Sequence, residues 1–286
     1  MILGTAQLGL NYGIHNSTGQ PLEEVAMEIL DYAYRKEILW LDTASAYGTA
    51  EGLIGKYQRN TGNQFHICSK MPVELGSKSV LEVVQDSRNR LNCETIDIYY
   101  LHRFEQCQNN EIMVLLDKAR QGHMIDKLGV SIYSPDELKY IMKNLLGVID
   151  VVQIPYNLAN KDLWYDDLIA EASQYFDIYA RSIYLQGLFF MQRDDEQIQK
   201  LHGEQFIDEL AEMEQQFHQS IDKIAMDFVT MNSNIKDCIV GCETMEQLMK
   251  NISLNKEGRT LELEEYRQLR NKQFAINDVL IDPRRW

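Results

Sequence analysis

LDTASAYG (41–48) is the stretch on which the reading of the chain turns. An apolar run from Ile38 to Leu41 stops at a carboxylate, Asp42, and small polar residues lead on to Tyr47 and Gly48. An apolar run ending in a carboxylate reads as a buried strand whose last residue emerges at a mouth, with Tyr47 in the loop beside it. The pattern recurs: FHICSK (65–70) ends in Lys70, and IDIYYLH (96–102) ends in His102. Three consecutive strand candidates each deliver one ionisable residue at the C-terminal end. This predicts that Asp42, Tyr47, Lys70 and His102 meet at one site.

Outward from these strands, strand-like and helix-like segments alternate. Strands are expected at 2–6, 38–42, 65–70, 96–101, 127–132, 151–154, 176–180 and 237–241. Helices are expected at 21–36, where Pro21 opens the helix, and at 49–59, 77–91 and 110–120. Another is opened by Ser134-Pro135-Asp136-Glu137, and more follow near 162–173, 204–217, 220–231, 243–252 and 261–272, with an irregular stretch to about 200. Strands apolar on both faces, joined by helical crossovers, imply a parallel sheet. Eight such units predict an α/β fold, a closed (β/α)8 TIM-type barrel, as one domain over 1–286, with a C-terminal helix and tail (261–286) near the barrel mouth. An open doubly wound sheet is disfavoured. No GxGxxG follows the first strand, and polar endings recur on most strands rather than at one switch point.

The formal charge of −15 argues against a nucleic-acid partner or an anionic membrane, and no segment approaches the length of a membrane span. The N-terminus carries no basic region ahead of its apolar residues and so does not read as a secretory signal. Five cysteines form no CxxC pair, and six histidines show no HExxH spacing. Reduced thiols, a cytoplasmic location and no metal are expected.

The four strand-end residues make chemical sense together. Reducing a carbonyl needs a proton, and a tyrosine can deliver it, although a phenol with a pKa near 10 is a sluggish acid at neutral pH. An adjacent ammonium, Lys70, favours the phenolate, and Asp42 keeps a buried Lys70 charged. His102 can hydrogen-bond the substrate oxygen and orient it.

DTASAYG, the SK of ICSKMP, the LH of IYYLHRF, GVSIYS, VQIPYN and IVGCETMEQLMKNI together resemble the aldo/keto reductase superfamily, in order along about 2–255. The resemblance implies a barrel that binds NAD(P)H without a Rossmann fold and an Asp42, Tyr47, Lys70, His102 tetrad with Tyr47 as proton donor. It further implies cofactor contacts from Gly4 and Thr5, from Asp42, and from Ser131 and Gln153 at the carboxamide. Ile132 stands where the family often has asparagine. Arg181 stands where an aromatic residue often stacks on the nicotinamide; it can stack there, or bind a substrate phosphate or carboxylate. Gly241, Gln247 and Asn251 match the adenosine end. Glu243 stands where NADPH-preferring members carry a serine or a cation, which points to NADH or dual use, with Lys250 the nearest cation in sequence. A carboxylate in a first helical turn is also favoured by the dipole alone.

GTAQLGLNYGI, RSIYLQGL and DPRRW look like a bacterial subgroup associated with sugar and polysaccharide metabolism, which suggests a sugar or nucleotide-sugar substrate. The hairpin that plugs the barrel bottom in many members is expected to be missing or very short. Tyr12, Arg103 and Trp286 are the expected substrate contacts. The expected partner is a small-molecule carbonyl or alcohol, and no oligomeric state follows from the sequence. The competing readings are a redox-sensing barrel acting through a partner surface and, last, a barrel hydrolase or isomerase, which would need a second strand-end acid beside Asp42.

Overall fold

The protein is described by a computed structural model covering residues 1–164 and 166–286. Eight parallel strands close into a barrel in sequence order: β1 (Ile2–Gly4), β2 (Trp40–Asp42), β3 (His66–Lys70), β4 (Ile96–Leu101), β5 (Ile125–Ser131), β6 (Val151–Pro155), β7 (Asp177–Arg181) and β8 (Asp237–Gly241). Closure is made by β1, which pairs with β8 through Gly4 and Gly241 and with β2 through Gly4 and Asp42. The helices are α1 (Ala6–Gly9), α2 (Glu23–Arg35), α3 (Ala50–Thr61), α4 (Val80–Leu91), α5 (Asn110–Gln121), α6 (Pro135–Asn144), α7 (Asp166–Ala172), α8 (Glu196–Lys200), α9 (Glu204–Phe217), α10 (Ile221–Met231), α11 (Met245–Lys256) and α12 (Leu263–Asn271).

The expected (β/α)8 architecture is therefore present, with shifts at the ends of elements. The first strand stops at Gly4, and residues 6–9 form a short helix that the apolar pattern did not signal. The fifth strand starts at Ile125 and ends at Ser131, so Ile132 lies beyond it. The helix expected at 77–91 begins at Val80. Ser79 and Glu82 form a reciprocal cap there, in which the Glu82 N–H donates to the Ser79 hydroxyl and the Ser79 N–H to the Glu82 carboxylate. The helix expected near 162–173 includes Tyr165, outside the described residues. The described part is a 3-10 turn, Lys161–Leu163, and α7.

Strand side chains alternate between barrel interior and helix layer. Ile2, Cys68, Ile98, Tyr100, Val151, Tyr179 and Ile239 form the interior cluster, with Trp40 packed against it. Leu3, Leu41, Ile67, Tyr99, Leu128 and Val152 belong to the larger core between strands and helices. One inward step, two residues further along each strand, brings Gly4, Asp42, Lys70, Gln153, Arg181 and Gly241 to the mouth, with His102 one step beyond Tyr100. Near the opposite end Trp40 stacks on His66, ring centroids 4.7 Å apart, and His66 Nδ1 lies 2.8 Å from the Asp97 carboxylate.

Helix packing is tightest where α3 meets the C-terminal end of α4. A Cβ on Gly55 would sit 1.8 Å from the Arg90 carbonyl oxygen, which is main chain and cannot swing aside, whereas one on Gly52, in the same helix, would meet nothing within 4 Å. Gly55→Ala is expected to destabilise the protein by about 1–3 kcal/mol through overpacking. Gly52→Ala is expected to stabilise it by about 0.5–1 kcal/mol. Urea denaturation of the two variants checks this, and equal effects would refute the packing argument.

Candidate active site

At the mouth, Lys70 Nζ lies 2.5 Å from Asp42 Oδ1 and donates to the Thr43 carbonyl at 3.0 Å. The second Asp42 oxygen accepts from Gln153 Nε2 at 2.8 Å. Asp42 and Lys70 are 4% and 1% exposed, so the pair is held by protein partners rather than by water. Burial alone would push the Lys70 ammonium down, but Asp42 and then Tyr47 oppose it and the net shift is upward. Lys70 thus stays charged.

Tyr47 is delivered by a loop that two glycines allow to pack main chain on main chain. A Cβ on Gly9 would sit 1.9 Å from the Tyr47 carbonyl oxygen, and one on Gly48 would sit 2.2 Å from that of Gly9. Gly48 also has a φ of +53°, a left-handed conformation that costs glycine little. The result places the Tyr47 ring centroid 5.0 Å from Lys70 Nζ and 6.2 Å from the His102 ring, edge to face. Burial raises the Tyr47 hydroxyl above its ordinary value, and the Lys70 charge pulls in the opposite direction without reversing it. The favoured phenolate expected from the sequence is therefore outweighed by burial, and the resting group is a phenol. His102 is pushed down to about 3, by burial first and then by Lys70, Arg181 and Arg103, so its imidazole is neutral. Its Nδ1 has no hydrogen-bond partner among the described residues.

These four residues line one cavity of about 620 Å³. Of the other expected contacts, Gly4, Thr5, Tyr12, Ser131, Gln153, Arg181, Gly241, Glu243, Gln247 and Asn251 also line it. The Thr5 hydroxyl donates to the Asp42 carbonyl at 3.0 Å. Glu243 is tied to Gln247, whose Nε2 donates to the carboxylate at 2.7 Å while its Oε1 accepts from the Glu243 N–H. Asn251 donates to the Gly241 carbonyl, and Lys250 pairs with Asp222. Burial raises the Tyr12 hydroxyl, with Tyr47 adding to the effect. Ile132 is fully buried and brings no side-chain amide.

Two expected substrate contacts, Arg103 and Trp286, lie off the cavity wall. Arg103 is exposed and does not line the cavity. It directly follows His102, and the alternation that turns His102 inward turns its neighbour outward. Trp286 is also absent from the wall; its indole N–H donates to the Val279 carbonyl at 2.9 Å. The tail contributes Arg284 and Arg285 instead.

The larger omission is the loop after β7. Ser182 to Gly187 line the cavity, with left-handed φ angles at Ser182 (57°), Leu185 (48°), Gln186 (54°) and Gly187 (93°). Such strain in non-glycine residues concentrates at functional sites. The main-chain N–H groups of Ile183 and Tyr184 reach no acceptor among the described residues, and Gln153 Oε1 accepts from no donor among them. The QG pair in RSIYLQGL is the sequence signal that could have marked this loop. Tyr133 of GVSIYS and Gln7 of GTAQLGLNYGI also reach the wall, as does Asp222, from a segment with no motif of its own. No group of three or more His, Cys, Asp or Glu placed to hold a metal ion occurs among the described residues, and no described helix is long and apolar enough to cross a membrane.

The chain is similar to known proteins in sequence and in fold. A model of the Aldo/keto reductase family matches residues 1–273. "Probable aldo-keto reductase 1" of Glycine max is 28% identical over 172 residues, 54% of this chain and 49% of that protein. D-arabinose 1-dehydrogenase of Saccharomyces cerevisiae is 28% identical over 156 residues, 49% of this chain and 45% of that protein. The matches thus span about half the length of these curated relatives. In fold, an aldo-keto reductase of Bacillus halodurans in holo form superposes with a TM-score of 0.73 at 19% identity, covering 99% of this chain and 95% of that one. A thermostable aldo-keto reductase in complex with the inhibitor epalrestat gives 0.71 at 21% identity, covering 94% and 93%. With its family matched over nearly its whole length and its barrel shared with these structures, the chain belongs to the aldo/keto reductase family.

Proposed function

We propose that the chain, acting as one domain, is an NAD(P)H-dependent oxidoreductase that reduces an aldehyde or ketone to an alcohol, or runs the reverse reaction. The observation that carries this reading is the buried Lys70–Asp42 pair beside Tyr47, with a neutral His102 across from it. The groups without partners on the wall fit a dinucleotide. Gln153 Oε1, with Ser131, can take a carboxamide, and the N–H groups of Ile183 and Tyr184 can take a pyrophosphate. Gly241, Glu243, Gln247 and Asn251 would face the adenosine end. When bound, the dinucleotide supplies the hydride for the carbonyl carbon.

The chain's own residues handle the proton and the orientation. The carbonyl oxygen sits between Tyr47 and His102. Neutral imidazole donates one hydrogen bond to it without competing as an acid. The Tyr47 hydroxyl, held as a phenol by burial, transfers its proton to that oxygen as negative charge develops there. The phenolate left behind lies beside the Lys70 ammonium, which lowers the cost of losing the proton, and Asp42 and the Thr43 carbonyl keep that ammonium in place. In the reverse direction the same atoms accept the proton.

A sugar or nucleotide-sugar derivative is the proposed substrate class, supported by the yeast relative named for D-arabinose. The proposed location is cytoplasmic, in keeping with five free cysteines. NADH or dual use is supported at the adenosine end, where Lys250 is engaged with Asp222 and a carboxylate, Glu243, lines the wall.

Tyr47→Phe is expected to lower kcat for aldehyde reduction by about 10²-fold or more while NADH still binds, followed by absorbance at 340 nm and by fluorescence titration. Retention of full activity would refute the mechanism. In the same titration NADPH should bind no more than about tenfold more tightly than NADH, a difference of about 1.4 kcal/mol. His102, lowered to about 3 against an unfolded value near 6.5, should stay neutral from pH 8 down to 5 in a heteronuclear NMR titration of its imidazole. Because the unfolded chain binds this proton and the folded one does not, its contribution to stability is present above pH 6.5. It is lost as pH falls towards 3, with a slope of up to about 1.4 kcal/mol per pH unit. A midpoint near 6.5 in the folded protein would contradict this.

A further inference from the structure

The cations on the cavity wall differ in one respect. Lys70 is paired with Asp42, Lys250 with Asp222, and Arg284 and Arg285 with Asp282. Arg181 alone among these has no carboxylate against it among the described residues. Its guanidinium offers five N–H donors. The hydrogen bond it makes is from one Nη to the Ile132 carbonyl, at 3.3 Å. It is nevertheless fixed. Arg181 Cζ lies 4.2 Å from the centroid of the Tyr133 ring, and Arg284 Cζ lies 3.8 Å from the same centroid. The tail thus buttresses the aromatic ring on which Arg181 rests.

Asp42 is shared between Lys70 and Gln153, and Asp282 holds Arg284 through two contacts of 2.8 Å. A half-buried guanidinium with spare donors, facing the cavity that holds the tetrad, is a preformed receptor for an oxyanion, and no carboxylate among the described residues is paired with it. Arg181 stands close enough to the reacting centre for its charge to act on both His102 and Tyr47. An anion bound to it would share one cavity with a carbonyl held at Tyr47 and His102.

We infer that Arg181 is the specificity-determining residue of the substrate site, and that the substrates are carbonyl compounds carrying a carboxylate or phosphate group. The inference rests on the reductase reading and narrows it. A guanidinium also fits better here than an ammonium would, because its planar fork can meet two oxygens while its face stays on Tyr133.

The test uses matched pairs: succinic semialdehyde against butanal for a carboxylate, and glyceraldehyde 3-phosphate against glyceraldehyde for a phosphate. In the unaltered protein kcat/KM should favour the anionic member of at least one pair by about tenfold or more, and the pair that shows it identifies the anion. In Arg181→Gln that ratio should fall to about twofold or less through KM, and Arg181→Lys should restore part of it. Calorimetric titration with succinate and with inorganic phosphate, without cofactor, should show the preferred anion binding about tenfold more weakly to Arg181→Gln. An unchanged ratio in Arg181→Gln overturns the inference. So does a variant that weakens NADH binding while leaving the ratio intact, because Arg181 would then serve the cofactor. If no carbonyl is turned over at all, the reductase reading fails separately. The titration still decides: anion binding lost in Arg181→Gln supports the receptor, and binding absent or unchanged overturns it.

Discussion

A lysine ammonium and an aspartate carboxylate share a space from which water is almost excluded, and the mouth of the barrel is built around keeping that arrangement tolerable. Stripping water from two charges costs several kcal/mol per ion, and their attraction offsets this only when the remaining polar atoms are also satisfied. Here they are. Thr43 supplies a carbonyl to Lys70 and Gln153 supplies an amide to Asp42, so β2, β3 and β6 are tied together across the barrel. A closed parallel barrel suits this task because every strand turns each second residue inward. Side chains distant in sequence then arrive at one level without any loop having to carry them.

That alternation is also why so much of the mouth was legible. Asp42, Lys70 and His102 are polar interruptions at the ends of apolar runs, and the runs announce where each strand stops. Ser131, Gln153 and Gly241 carry no such contrast and needed a family resemblance to stand out. Applied strictly, the same alternation places Arg103 outside, since it directly follows inward-facing His102. Its charge drew it into the expectation, whereas its phase turns it away from the cavity wall. The tail misled differently. Trp286 is the conspicuous residue of DPRRW, but its indole caps a neighbouring carbonyl and its arginine neighbours take the wall.

The remainder was not readable because it depends on contacts between segments far apart in the chain. Gly9 and Gly48 look like ordinary loop glycines until their main chains are seen within a Cβ's reach of each other, and that approach sets the position of Tyr47. Tyr133 gains a role only when Arg181 and Arg284, more than a hundred residues apart, both approach its ring. The left-handed run from Ser182 to Gly187 is hidden for a different reason. Three of its four strained residues are not glycine, so propensity argues against the conformation that the fold imposes.

The cations gathered at the mouth act in a common direction, opposed at Tyr47 by the Asp42 carboxylate. Lys70 and Arg181 both disfavour the protonated form of His102 and both favour loss of the proton from Tyr47. Burial first, and then this field, keeps His102 neutral, and the same field eases loss of the Tyr47 proton while burial holds Tyr47 protonated at rest. The chain as a whole carries a formal charge of −15, which would repel an anionic ligand at long range. Exposed charges are largely screened beyond about 10 Å at 0.1 M ionic strength, whereas half-buried ones are screened much less. What an anion meets on entering the cavity is then set by the few cations on its wall, and among these the one without a carboxylate partner among the described residues counts most.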